Sequence, residues 1–113
     1  MIPKQNRLKD SETIRAIRSD GKSFTSSIAI LVVQDSLLGK TRVAFLASRS
    51  VGGAVQRNRC KRVLRSRVAQ LIKEMAQPHD LLLIARKPLL SVTADEIEQN
   101  LVVLFERAKL IRT

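Results

Sequence analysis

The sequence predicts a small α/β protein, an α+β two-layer sandwich with elements in the order α-β-β-α-β-α and residues 1–113 as a single domain. Three observations carry this. Short apolar runs bounded by turn-forming residues mark strands, and apolar residues at three- and four-residue spacing mark helices. An apolar fraction of 44% in 113 residues suits one modest core, burying about 65% of the unfolded surface. No repeat, linker or low-complexity tract divides the chain, and no run approaches the ~18 apolar residues of a membrane span.

The elements follow in order. Asp10 or Ser11 can cap a first helix through Ile14, Ala16 and Ile17. Asp20-Gly21 closes it, glycine being suited to a left-handed C-terminal residue. Ser23 to Val33 reads as one strand, buried on both faces near its end, where Ile28, Ile30 and Val32 alternate with Ala29, Leu31 and Val33. Gln34-Asp35-Ser36-Leu37-Leu38-Gly39-Lys40 is a turn, and Thr41 to Ala47 is a second strand expected to pair antiparallel with the first. After a Ser48–Gly53 loop, a helix runs from Gln56 to Met75 and ends at Gln77-Pro78. Asp80 to Arg86, with Leu81-Leu82-Leu83-Ile84-Ala85, is an interior strand. Thr93 and Glu96 form a capping box, Val92 and Ile97 a hydrophobic staple, and Ile97, Leu101, Leu104, Phe105 and Ala108 line a final helix from Ala94 to Lys109.

The charge is more specific than the fold. The formal charge is +11, yet all ten acidic residues lie outside Ser36–Lys73, which holds ten of the 21 Lys and Arg. Projected at about 100° per residue with Cys60 at zero, Val63, Leu64, Val68, Leu71, Ile72 and Met75 share an arc from about −60° to +120°. Arg59, Lys61, Arg62, Arg65 and Lys73 fill the arc from about 100° to 260°. Arg67 lands among the apolar positions, where a long side chain can snorkel to the rim. A helix face of this length ordinarily mixes signs. Five of the six basic residues from Arg57 to Arg67 are Arg, the side chain suited to bidentate phosphate contacts and to stacking on bases. Arg57 and Asn58 fall in the first turn, where the helix dipole adds to anion affinity.

Chemistry of other kinds lacks its parts. One Cys and one His cannot supply the three or four ligands of a zinc site. Cys60 lies in the apolar row and reads as a small buried hydrophobe. His79 reads as a loop residue before a strand. No GxxxxGK[ST] loop occurs. Catalytic residues and protein-held metal ligands are therefore assigned as none, and the chain reads as a binder. A single cysteine and no apolar signal core point to a reducing cytoplasm.

The segment Arg42-Val43-Ala44-Phe45 through Ser48-Arg49-Ser50-Val51-Gly52-Gly53-Ala54-Val55-Gln56-Arg57-Asn58-Arg59-Cys60-Lys61-Arg62-Val63-Leu64-Arg65 resembles the signature of the bacterial ribonuclease P protein subunit family. The likeness extends to Pro3-Lys4-Gln5-Asn6-Arg7-Leu8, Gly21-Lys22-Ser23 and Asp80 to Pro88. It implies a small mixed sheet with a left-handed βαβ crossover, although handedness rules alone favour the right-handed one. It implies binding to a large catalytic RNA that, with magnesium held mainly by that RNA, removes the 5′ leader of precursor tRNA, the isolated protein being inactive. It implies no membrane and no obligate protein partner.

Carried over by motif, Arg57, Asn58, Arg59, Lys61, Arg62 and Arg65 would contact the catalytic RNA, with Ser48, Arg49 and Gly52 beside them. A leader cleft between the first helix and the sheet would take Ile14, Arg18 and Leu31, with Arg15 and Lys22 nearby. Here the chain departs from the family. Ile14, Arg18 and Leu31 stand where aromatic residues are usual, and with no Trp or Tyr anywhere, stacking at those positions is lost. The alternative reading is a structural RNA-binding protein such as a ribosomal protein. A self-sufficient nuclease would need carboxylates near the basic helix, and Asp35 and Glu74 are separated by its whole charged stretch.

Overall fold

A computed structural model describes residues 2–36 and 38–111. Three helices and four strands form it: α1 (Ser11–Asp20), β1 (Lys22–Thr25), β2 (Ala29–Asp35), β3 (Arg42–Ala47), α2 (Ala54–Lys73), β4 (His79–Ala85) and α3 (Ala94–Arg107). The α+β sandwich stands, with one strand more than expected. The run Ser23–Val33 is broken at Ser26, whose hydroxyl accepts from the N–H groups of Ile28 and Ala29 at 3.3 and 3.2 Å. This local hydroxyl–backbone turn folds the run into a hairpin, Lys22 pairing with Val33 and Thr25 with Ile30.

The expected antiparallel pairing of β2 with β3 does not occur. The sheet order is β1-β2-β4-β3, with β4 antiparallel to β2 and parallel to β3. Leu81, Leu82, Leu83 and Ala85 are buried on both faces of β4, so this strand needs a neighbour on each side and a cover on each face. It therefore takes the interior, and β3 takes an edge. The Gln34–Lys40 turn thus leads to a strand two places away. Ser36 Oγ donates to the Lys40 carbonyl within it at 2.7 Å, and Leu37 of this turn lies outside the described residues.

Strand parity divides the core. Leu31, Val43, Leu81, Leu83 and Ala85 face Cys60, Leu64, Val68 and Leu71 of α2 and Ile97, Leu101, Leu104 and Phe105 of α3. Val32, Ala44 and Leu82 face Ile17 of α1. The sense of the crossover follows from Val43. Its side chain points toward α2, and its carbonyl accepts from Leu8 N–H at 2.9 Å on the outer side of β3. In an extended L-residue viewed from its side-chain face, with the chain running upward, its own N–H and C=O point right. The outer edge is therefore on the right and β4 on the left. The path from β3 through α2 in front of the sheet to β4 advances leftward, a left-handed crossover against the general rule.

Two caps match expectation. Asp10 Oδ2 accepts from Thr13 N–H at 3.1 Å, and Thr93 Oγ1 accepts from Glu96 N–H at 3.2 Å. Gly21 differs: its φ is −73°, extended rather than left-handed. The glycine is needed for space, since a Cβ would lie 2.6 Å from the Ile17 carbonyl oxygen and 2.7 Å from Val32 Cγ1. His79 is the first residue of β4 rather than a loop residue, its Nε2 3.6 Å from Asp35 Oδ1. Asp80, the only buried charged residue among those described, receives a two-point contact from Arg42, Nε to Oδ1 at 3.0 Å and a terminal nitrogen to Oδ2 at 2.8 Å. This pair holds the guanidinium pKa of Arg42 above its usual value and clamps the start of β3 to β4.

Candidate nucleic-acid interface

The turn into α2 is built on glycine. Gly52 has φ +132°, and a Cβ there would also stand 2.9 Å from Gln56 Cβ. Gly53 caps the helix without a side chain, so the first-turn N–H groups face outward with no side-chain acceptor. Ser48, Arg49 and Gly52 are exposed on the approach, with the Ser48 and Ser50 hydroxyls 2.6 Å apart.

Along α2, burial sorts the cations into two rows. Arg57, Lys61 and Arg65 recur every four residues and are half-buried, whereas Asn58, Arg59 and Arg62 are exposed. The inner row leans toward β3, where Arg65 sits 5.7 Å from the centre of the Phe45 ring. Arg67 is half-buried at the rim, as its place on the wheel implies. The contacts of basic side chains with carboxylates among the described residues are the Arg42–Asp80 ion pair and the His79 imidazole beside Asp35, so no α2 cation is neutralised by a carboxylate. Beneath this face Cys60 is fully buried, and desolvation pushes its thiol pKa up while nearby Arg59 opposes the shift. It remains a neutral thiol in the core.

The residues assigned to the second surface do not all come together. Ile14 is half-buried on α1 beside the sheet, and Arg15 and Arg18 are exposed on the same helix. Leu31 does not line that cleft. It is fully buried on the opposite face, in the core shared with α2 and α3. Lys22 is also on that far side, its Nζ 5.6 Å from the centre of the Phe24 ring. The residues that do face α1 are Ile30, Ile84 and Leu46. Ile30 pairs with Ile84 and Ile84 with Leu46, so the three form one row across β2, β4 and β3. All three are half-buried, whereas the adjacent row Val32–Leu82–Ala44 is closed under Ile17. Sequence reasoning missed this row because β2 is apolar at odd and even positions alike.

The family model described as Ribonuclease P matches residues 2–109. The chain belongs to the ribonuclease P protein family. It is 30% identical over 112 residues to the ribonuclease P protein component of Bacillus cereus strain B4264, covering 98% of this chain and 97% of the relative. It is 36% identical over 112 residues to that of Symbiobacterium thermophilum, with the same coverage. In structure it is similar to the Staphylococcus aureus RNase P protein, with a TM-score of 0.84, 23% identity and coverage of 95% and 98% of the two chains. It is also similar to the Thermotoga maritima RNase P protein, with a TM-score of 0.78, 22% identity and coverage of 89% and 96%. The ribonuclease P protein is the RNA-binding subunit of a holoenzyme that removes the 5′ leader of precursor tRNA, so the ribosomal-protein alternative falls away.

Proposed function

We propose that α2 docks this subunit on the catalytic RNA of ribonuclease P, and that this RNA carries the cleavage chemistry while the protein supplies charge and position. The observation that carries the reading is the cationic face itself: Arg57, Arg59, Lys61, Arg62 and Arg65 project from one rigid helix with no carboxylate partner among the described residues. A fixed array of guanidinium groups neutralises closely spaced phosphates and releases their counterions, which stabilises a folded RNA. Asn58, Ser48 and Arg49 add hydrogen-bond donors beside it, and the uncapped first turn of α2 adds backbone donors.

Magnesium supplies a Lewis acid and an activated water for phosphodiester hydrolysis when it is bound. No three His, Cys, Asp or Glu side chains come together among the described residues. Magnesium is assigned mainly to the RNA. The 5′ leader is assigned to the surface beside α1, where Ile14, the Ile30–Ile84–Leu46 row, Arg15 and Arg18 offer apolar floor and positive rim. The setting is the cytoplasm, with no membrane and no obligate protein partner.

The test is reconstitution. Mixed with its cognate RNA at low magnesium, the protein should raise the rate of precursor-tRNA cleavage, and alone it should cleave nothing. Unchanged cleavage by the RNA, or cleavage by the protein alone, would overturn this division of labour.

A further inference from the structure

The sequence shows no stacking residue in the leader cleft, and Phe45 lies on the opposite, α2-facing side of the sheet, at the open edge of β3. Within a strand, successive residues turn their N–H and C=O groups to opposite sides. Because the Val43 carbonyl points to the outer edge, those of Phe45 and Ala47 point there too. The N-terminal segment covers only the start of this edge. Leu8 bonds to Val43, and the Asn6 side chain donates to the Thr41 carbonyl at 2.6 Å. Beyond Val43 no described residue pairs with the edge. A groove of about 460 Å³ runs along it. Its wall includes Arg7, Lys9, Lys61 and Arg65, its floor includes Phe45 and Leu46, and no acidic residue lines it.

We infer that the open edge of β3 from Phe45 to Ala47 binds the single-stranded 5′ leader, a base stacking on the Phe45–Arg65 pair and the leader backbone accepting from edge N–H groups. The inference rests on the leader reading above and moves the aromatic contact from the sheet face to the sheet edge. Four cations with no carboxylate favour a polyanion over an added protein strand. The half-buried Phe45 ring under a guanidinium is a surface on which any base can stack. The groove also joins the inner cation row of α2 to Ile14 and Leu46. A strand leaving the catalytic RNA surface can therefore follow it into the open side of the sheet.

The experiment uses the reconstituted holoenzyme and two precursor tRNAs, one with a long unstructured leader and one with the leader cut to a single nucleotide. Phe45→Leu removes the ring. Ala47→Pro removes one edge N–H in a strand position that tolerates proline. Each should weaken binding of the long-leader precursor about fivefold and leave the truncated one unchanged. Phe45→Trp should preserve the preference for the long leader. As the chain's only tryptophan, it should change fluorescence with the long-leader substrate alone. A wild-type holoenzyme indifferent to leader length would remove the leader reading itself. A wild-type preference retained in full by Phe45→Leu and Ala47→Pro would overturn the edge site alone, as would equal losses on both substrates. Protein self-association abolished by Ala47→Pro would make the edge a protein seam and overturn it as well.

Discussion

The two faces of the sheet are made from the same strands and have opposite fates. One lies under α2 and α3, and Leu31, Leu81 and Leu83 are sealed there with no exposure at all. The other lies under α1, a helix of ten residues, and Leu8 of the segment before it. That helix closes the Val32–Leu82–Ala44 row and leaves Ile30, Ile84 and Leu46 half-open. Apolar residues on both faces are thus not evidence of two equal cores. The closed face carries the stability, and its helix α2 turns its own back outward as a charged surface. The open face keeps apolar area in water, and that area lies between the cations of α2 and those of α1.

The sharpest way to break this contrast is to strip charge from α2 without touching the core beneath it. Charge reversal at Arg59, Arg62 and Arg65 should lower affinity for the cognate RNA by about 10²–10³-fold. For about six phosphates contacted, the wild-type slope of log K against log salt should be near −4 to −5, and it should flatten markedly in the variant. The melting temperature should hardly move, because Arg59 and Arg62 are exposed and Arg65 is half-exposed. A flat salt response in the wild type, or loss of the circular-dichroism signal in the variant, would mean that these residues hold the fold instead.

Next in size is a direct comparison of the two faces. Leu64→Ala empties a fully buried site between α2 and the sheet and should cost about 3 kcal/mol in a urea titration. Ile84→Ala removes a side chain of similar size from the half-open row and should cost less, about 1 kcal/mol, since part of its surface is already in water before the change. Equal losses would show that the open face is packed as the other is, and the contrast would fail.

How much of this was readable without coordinates depends on the range of the interaction. The Asp10 and Thr93 caps, the buried Cys60 and the two-sided α2 follow from contacts within a few residues, and each is found. The insertion of β4 between β2 and β3 rests on pairing across some 40 residues, such as Arg42 with Asp80, which no local pattern records. The placement of Leu31 and Lys22 away from the α1 cleft is hidden from the sequence for a related reason. From Ile28 to Val33 every residue is apolar, so alternation has no phase, and nothing local says which parity meets α1. The row Ile30–Ile84–Leu46 becomes visible only once that phase is set. Gly21 ends α1 as its sequence position implies, but the reason for a glycine is the approach of Val32 and the Ile17 carbonyl, a tertiary fact.

The smallest expected effect concerns the one helix that roofs the open face. Asp10 caps α1, and its carboxyl pKa is held below the usual 3.8, first by the Thr13 hydroxyl and then by the Thr13 N–H. Because the folded-state pKa is depressed, its contribution is complete above the ordinary carboxylate pKa and is lost as pH falls through the lower folded value. Asp10→Ala should therefore loosen α1 slightly at neutral pH, and the difference from wild type should shrink as the solution is taken below pH 3.8. Amide exchange is the suitable readout, since local opening can exceed global unfolding by a wide margin. Protection should fall in the first turn of α1 and stay unchanged in β4 and α2, whose hydrogen bonds lie under the closed face. A uniform loss across the whole sheet would instead make α1 part of a single cooperative core, and the open face would then be only the less crowded side of one structure.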